Sequence, residues 1–292
     1  MTHGEGQDVP RAAVVTVSYN SGRFLSEFLE STRSASATDA SVPVVVADNG
    51  SQDADALADT TETRGARFIR LDRNRGYGGA VNEAVRQIDS SIPWVLVSNP
   101  DVVMEPGSLD VLLEVAEADE GIGAVGPAII EPDGSVYPSA RRVPSLRTGL
   151  GHALFADLWP TNPWTRAYHR DGEHDERRTT GWLSGACVLV RRSAFDSLGG
   201  FDEGFFMYFE DVDLGYRLGR AGWTNVYEPA ARVMHVGAHS TQNSSQHMRM
   251  VHHESAYRFL ARKYGRWYLF PLRTVLRIGL TVRARATTPT RS

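Results

Sequence analysis

The strongest constraint on this chain is an alternation that runs through its first half. Short runs of apolar, largely β-branched residues are each followed by a polar cluster and then, in most cases, by a segment of helical period. Ala13 to Val17 reads as a buried strand, followed by a helix from about Ser21 to Ala35 with Phe24, Leu25, Phe28 and Leu29 on one face. Pro43 to Ala47 is a second strand, then a polar helix, then Arg67 to Leu71. Gly79 to Ile88 predicts helix, Trp94 to Val97 a fourth strand, and Gly107 to Ala118 a helix with Leu109, Leu112, Leu113 and Ala116 at helical spacing. Strands apolar on both faces with helices between them predict an α/β layer fold around a largely parallel sheet.

Beyond about Arg141 the pattern weakens until Thr180, in a stretch with Pro144, Gly149, Gly151, Pro160 and Pro163, the composition of a substrate-facing loop. Regular structure resumes over Leu183 to Val190. A helix is expected near Glu210, paired strands over Asn225 to Val236, and a helical tail from about Gln246.

In an open α/β sheet, ligands sit beyond the carboxyl ends of the strands. Ser18, Tyr19 and Asn20 follow the first strand, Asp48 to Asp53 the second, Asn74 to Gly79 the third, and Ser98 to Asp101 the fourth. Taken singly, each cluster has a plainer reading. Asp48, Ser51 and Asp53 suit an Asx turn and a helix cap. Gly76 to Gly79 suits a tight turn, and Asp101 after Pro100 a turn residue. Four such ends in succession predict a site.

A second stretch places Glu210, Asp211 and Asp213 within four residues behind Phe205, Phe206, Tyr208 and Phe209. Buried carboxylates are costly unless they cap, pair or react. Capping accounts for Glu210 and Asp213 better than for Asp211. Gly121 to Gly126 matches G-x-G-x-x-G, but it opens no helix and precedes Pro127 and Ala128 to Ile130. It is rejected as a dinucleotide site.

The motifs VVTVSYNSG, VVVADNGSQD, NRGYGGAVNEAV, LVSNPD, WLSGACVLVRR, GGFDEGFFMYFEDVDLGYRLGRAGW and VMHVGAHS occur in this order between Val14 and about Ser240. In them the chain resembles family 2 glycosyltransferases of the nucleotide-diphospho-sugar transferase (GT-A) fold, in their bacterial rhamnosyltransferase-like branch. The resemblance implies inverting transfer of L-rhamnose from dTDP-L-rhamnose to a polyprenyl-diphospho-N-acetylglucosamine acceptor in cell-wall linker synthesis. Asp48 would then accept the N3–H of a pyrimidine. Ser18, Tyr19, Asn20, Asp53 and the Asn74 to Gly79 loop, with Gly76 and Gly79, would line the nucleotide pocket.

The usual Asp-x-Asp metal motif here reads Asn99-Pro100-Asp101. Asp101 and His235 would hold Mn²⁺ or Mg²⁺, the imidazole favouring Mn²⁺. Asp211 would be the general base, with Glu210 as the alternative. Trp182, Ser184 and Gly185 would border donor sugar and acceptor, and His239 and Ser240 would face the diphosphate. Another hexosyl or furanosyl donor carried on UDP, and a non-catalytic nucleotide-sugar-binding scaffold, stay open as alternatives. A nucleotidyltransferase would want basic residues in the Ser18 to Gly22 loop, and none is there.

Net charge is −4, yet no Asp or Glu follows Glu254, while Arg258, Arg262, Lys263, Arg266, Arg273, Arg277, Arg283, Arg285 and Arg291 do. Aromatic and aliphatic residues interleave with these cations. The division expected is a catalytic domain over 10–240 and a basic helical extension over 241–292. The extension would lie on a membrane surface, as an interfacial helix and not a span, or form a protein contact such as a homo-oligomer interface. A nucleic-acid partner is not expected, because no recognition motif accompanies the charge. The polar start of the chain, the lack of a long apolar run and the single Cys187 predict a cytoplasmic protein, peripheral at the inner face of the plasma membrane.

Overall fold

The computed structural model describes residues 9–38, 42–145, 175–237 and 246–286. The strands form a large twisted sheet whose first half follows the expected alternation. β1 (Ala12–Ser18) pairs in parallel with β2 (Val44–Asp48) and with β4 (Trp94–Ser98), and β2 pairs in parallel with β3 (Arg67–Arg70). The second half is mixed. β11 (Cys187–Arg191) runs antiparallel between β4 and β6 (Ile122–Ile130), and β12 (Thr224–His235) is parallel to β6 and antiparallel to β5 (Val102–Met104). The short strands β7 (Val136–Tyr137) and β9 (Arg178–Thr180) flank β6 and β12, while β8 (Ala140–Arg141) and β10 (Trp182–Leu183) form a separate antiparallel pair.

Side-chain alternation along β1 explains the two layers of core. Ala13, Val15 and Val17 face α3 (Gly76–Arg86), where they meet Ala80, Val81 and Ala84. Ala12 and Val14 face the opposite way, toward Leu25, Phe28 and Leu29 of α1 (Gly22–Ser34). α2 (Ala54–Glu62) and α4 (Ser108–Glu117) join α1 through Leu57, Leu109 and Leu112. α5 (Arg192–Ser197) and α6 (Glu210–Arg220) join α3 through Phe195, Leu214 and Leu218. The result is an α/β sheet clothed by helices on both faces.

Four expectations need correction. Phe24 is only half-buried and lines a cleft, because the sheet-facing stripe of α1 passes through Leu25, Phe28 and Leu29. α3 begins at Gly76, not Gly79: the Gly76 N–H is held by the Asn74 side chain at 2.9 Å, and a φ of 73° lets the chain turn directly into helix. The G-x-G-x-x-G stretch forms most of β6 itself, so its glycines serve strand packing, with Gly123 against Trp223 and Gly126 against Leu183. The segment read as paired strands is one strand, β12, with a break in its register on β6 between Glu228 and Arg232.

Two helices follow, α7 (Gln246–Lys263) and α8 (Phe270–Ala286). α7 packs on α6: Phe259 is fully buried with Phe205 and Val212, beside Phe209, Tyr216 and Leu260. Asp213, also fully buried, accepts from Arg217 at 2.6 Å and from Arg262 of α7 at 2.5 Å, while Arg262 and Arg258 both pair with Asp202. α8 instead leaves Phe270, Val275 and Ile278 exposed, and Trp267 before it is 84% exposed. No described helix is long and apolar enough to cross a membrane.

Candidate active site

The carboxyl ends of β1, β2 and β4 open onto a cleft of about 360 Å³. Tyr19, Asn20, Asn74, Gly76, Asn99 and Asp101 line it, as the strand-end reading expects, together with Arg23, Phe24, Asn49, Tyr77 and Met207. Its rim is stitched by short hydrogen bonds. The Asn20 N–H donates to Ser51 Oγ at 2.9 Å, and the Gln52 N–H to Asn20 Oδ1 at 3.0 Å. Asn49 Nδ2 donates to Asn74 Oδ1 at 3.1 Å and to the Gly76 carbonyl at 3.2 Å, while its Oδ1 accepts from the Arg75 N–H at 2.8 Å. Asn49 thus ties the loops after β2 and β3 together.

Four of the expected nucleotide contacts are not among the residues that line this cleft. Asp48 is fully buried beneath the cleft and accepts the Ser51 N–H, the Asx-turn arrangement that its spacing also allowed. Ser18 is buried too, and its Oγ finds no partner among the described residues. Asp53 is exposed at the start of α2 and does not cap it through its side chain. Gly79 faces Arg75 and Glu203 inside the helix packing. His239 and Ser240 lie outside the described residues.

At one end of the cleft, β12 runs antiparallel to β5 and sets His235 opposite Val102, which brings it to Asp101 across 134 residues of sequence. The His235 Nε2 to Asp101 Oδ1 distance is 3.1 Å, and the Val236 N–H donates to the Asp101 carbonyl at 2.9 Å. Burial works against charge on His235, but the hydrogen bond and charge of Asp101 outweigh it and raise the imidazole pKa. Among the described residues no group of three His, Cys, Asp or Glu side chains gathers as a metal cage. Asp101 and His235 form a two-donor oxygen and nitrogen pair.

Behind the cleft stands the acidic motif. Glu210 and Asp211 open α6 after Tyr208 and Phe209, whose φ values of 68° and 67° are unusual for aromatic residues. α7 holds this segment: Ser255 Oγ donates to the Met207 carbonyl at 2.8 Å, and His252 meets both rings edge-on. The Asp211 carboxylate receives two backbone N–H groups, from Gly185 at 3.0 Å and from Val212 at 2.7 Å. Burial raises its pKa against these donors and against the charge of Arg141. Glu210 is buried too, with one carboxylate oxygen lacking a partner among the described residues, and burial followed by the charge of Asp211 pushes it up to about 8. A carboxylate whose basicity burial raises, beside a cleft and oriented by two amides, is equipped to accept a proton.

Tyr77 joins the two halves. It lines the cleft, and its hydroxyl donates at 2.7 Å to the carbonyl of Gly185, the residue whose own N–H holds Asp211. Sequence reasoning took Tyr77 only as part of a glycine loop. The available signal was one large aromatic among three glycines. Trp182 lies against Gly215, one helical turn from Asp211 on α6, and is half core and half site.

Residues 10–269 match glycosyltransferase-like family 2. The chain belongs to glycosyltransferase-like family 2. It is 48% identical over 93% of its length to N-acetylglucosaminyl-diphospho-decaprenol L-rhamnosyltransferase of Mycobacterium tuberculosis, covering 91% of that protein. A solved mannosyltransferase from Pyrobaculum calidifontis, in complex with GDP-Man and Mn²⁺, superposes with a TM-score of 0.59 at 17% identity, covering 96% of this chain and 76% of that one. GalNAc-T7, solved with UDP, GalNAc and Mn²⁺, gives a TM-score of 0.57 at 15% identity over 79% of this chain and 44% of that one. These structures share the GT-A fold, and this family 2 glycosyltransferase carries it.

Proposed function

We propose that this family 2 enzyme transfers L-rhamnose, with inversion, from dTDP-L-rhamnose to a polyprenyl-diphospho-N-acetylglucosamine acceptor. The observation that carries the reading is Asp211, a carboxylate of raised pKa fixed by two backbone amides and joined through Gly185 and Tyr77 to the cleft. Near identity in length and 48% sequence identity to the mycobacterial rhamnosyltransferase support the choice of sugar and acceptor.

In this reading the donor occupies the cleft with its diphosphate toward Asp101 and His235. Asp211 takes the proton from the acceptor hydroxyl as that oxygen attacks the anomeric carbon from the face opposite the diphosphate. The bond from the anomeric carbon to the diphosphate oxygen breaks, and the nucleoside diphosphate leaves. Asp101 and His235 fit a divalent cation, Mn²⁺ or Mg²⁺, which when bound would supply charge neutralisation for the departing diphosphate. Glu210, raised to about 8 by burial and by the charge of Asp211, is largely protonated near neutral pH and is not the base in this reading. Ser18 Oγ, buried at the end of β1, has no partner among the described residues.

The acceptor is lipid-linked in this reading, and the tail suits such a substrate. α7 binds the catalytic layer, whereas α8 offers an exposed apolar face amid Arg266, Arg273 and Arg277, with no acidic residue after Glu254. That combination fits an anionic bilayer and supports the reading of an enzyme peripheral at the inner face of the plasma membrane.

The test is calorimetry of dTDP, UDP and GDP binding, each with and without Mn²⁺. Binding selective for dTDP and strengthened by the metal is the expected result. Selectivity for UDP would move the donor to another sugar, and no nucleotide binding would overturn the transferase reading.

A further inference from the structure

The small β8–β10 sheet lies across the face of α6 that carries Asp211. Its register sets Arg141 opposite Trp182. Trp182 is seated against Gly215, so closely that a Cβ there would fall 2.6 Å from the Trp182 Cβ. Asp211 and Gly215 are four residues apart on one helix and share that face. Two residues after β10, the Gly185 N–H grips the Asp211 carboxylate. Arg141 and Trp182 therefore stand beside the group that receives the acceptor proton, and neither lines the nucleotide cleft.

The Arg141 guanidinium is held but not consumed. Its carbon lies 5.7 Å from the centre of the Tyr137 ring and 6.0 Å from that of Trp182, and its Nε donates to the Pro138 carbonyl at 2.8 Å. No carboxylate pairs with it, and its two terminal nitrogens have no hydrogen-bond partner among the described residues. The contrast with the other arginines of this region is clear: Arg217, Arg258 and Arg262 are all committed to Asp202 or Asp213. A planar cation fixed at its inner edge, with no partner for its outer edge among the described residues, can take two phosphate oxygens. The rings of Tyr137 and Trp182 provide the apolar face on which a pyranose can lie.

We propose that Arg141 is an acceptor-side phosphate ligand, reading the phosphate next to the acceptor sugar of a diphospho-lipid while Trp182 supports the sugar itself. This rests on the acceptor reading above and deepens it, because it gives the diphosphate a recognition element on this chain. The surroundings agree with a lipid-borne substrate. After Arg141 the chain passes Val143, packed near Leu260, and Pro144, whose carbonyl accepts from Lys263 at 2.6 Å, at the end of α7 beside the exposed Trp267.

Two acceptors separate the possibilities: a short-chain prenyl-diphospho-N-acetylglucosamine and a neutral alkyl N-acetylglucosaminide of matched chain length. Wild-type enzyme and the Arg141→Gln and Arg141→Lys variants are assayed with both, alongside donor KM. The expected result is that Arg141→Gln raises KM for the diphosphate acceptor by about 10- to 100-fold, the loss of a charge-assisted contact. Donor KM should hold at its wild-type value, and the neutral acceptor should lose far less than the diphosphate acceptor, only what the charge of Arg141 contributes at Asp211, with Arg141→Lys in between. A raised donor KM would assign the cation to the donor diphosphate and overturn the proposal. An equal loss on both acceptors, with the acid limb of the pH profile moved upward, would make Arg141 no more than an electrostatic partner of Asp211 and overturn it too. A wild-type enzyme that transfers sugar without preferring the diphosphate acceptor would refute the acceptor reading itself and this inference with it. Failure of Arg141→Gln alone leaves that reading standing.

Discussion

At the scale of residues, two adjacent carboxylates divide the work because their surroundings differ. Asp211 has two amide donors, and Glu210 has an oxygen with none. Asp211→Asn should leave donor affinity within about threefold of wild type while lowering transfer by roughly 10³-fold, the contribution of a positioned base. Calorimetry and single-turnover rates check it, and a parallel loss of donor affinity would remove Asp211 from the base role. Glu210 makes a different prediction. Its folded pKa of about 8 lies above the ordinary 4.5, so between these values the folded protein holds a proton that the unfolded chain has released. Stability from this group is therefore complete below about 4.5 and is lost as pH rises toward about 8. Glu210→Gln should flatten that decline and stabilise the protein by on the order of 1 kcal/mol at the alkaline end. Denaturant unfolding at both ends of the window decides; an equal change at each would contradict the cause given.

Among the elements, the turn into α3 and the entry to α6 are held against each other. Gly76 has a φ of 73°, and a Cβ there would strike the Phe206 backbone, whose carbonyl accepts the Tyr77 N–H at 3.1 Å. Gly107 has a similar φ of 76° but meets nothing within 4 Å. Gly107→Ala should cost about 1 kcal/mol, from backbone strain alone. Gly76→Ala should cost about 1–3 kcal/mol and also weaken nucleotide binding, since Tyr77 and Asn74 border the cleft. Thermal melts and nucleotide titrations of the pair test this, and equal effects would show that the contact with Phe206 is unimportant. The glycine cluster was legible in the sequence as a turn. That the turn is the first step of a helix, braced by a loop 130 residues further on (76 to 206), was not. The cause is a contact between distant segments, which local period cannot encode.

For the whole molecule, the structure splits the basic tail between its two expected uses. Arg258 and Arg262 are ion-paired to Asp202 and Asp213, so α7 is a brace of the catalytic layer. α8 keeps its cations beside Phe270, Val275 and Ile278, which are 63%, 67% and 60% exposed, more than packing on this chain would leave. The protein should bind vesicles containing anionic phospholipid and release them as salt rises. Replacing Trp267 and Phe270 together by Ser should weaken this by about tenfold or more, through lost apolar burial, without changing nucleotide affinity. Co-sedimentation measures it. Self-association with no vesicle affinity would assign the face to a second copy of the chain.

What the sequence determined by itself is the part of the protein written in local pattern: the β1 to β4 alternation, the helices between those strands, the polar clusters at strand ends and the acidic motif. Period and turn chemistry are short-range, and they survive without knowing what lies opposite. Only the tertiary structure decided which polar residues face the cleft. Asp48 bonded to its own loop while buried Asn49 reached the cleft wall, Phe24 left the core stripe, and Gly79 went into helix packing. It also made the pairings that join Asp101 to His235, Tyr77 to Gly185, Asp213 to Arg262 and Arg141 to Trp182. Each unites segments far apart in the chain, and their meeting depends on strand order and register, which emerge only when the whole sheet closes over its core.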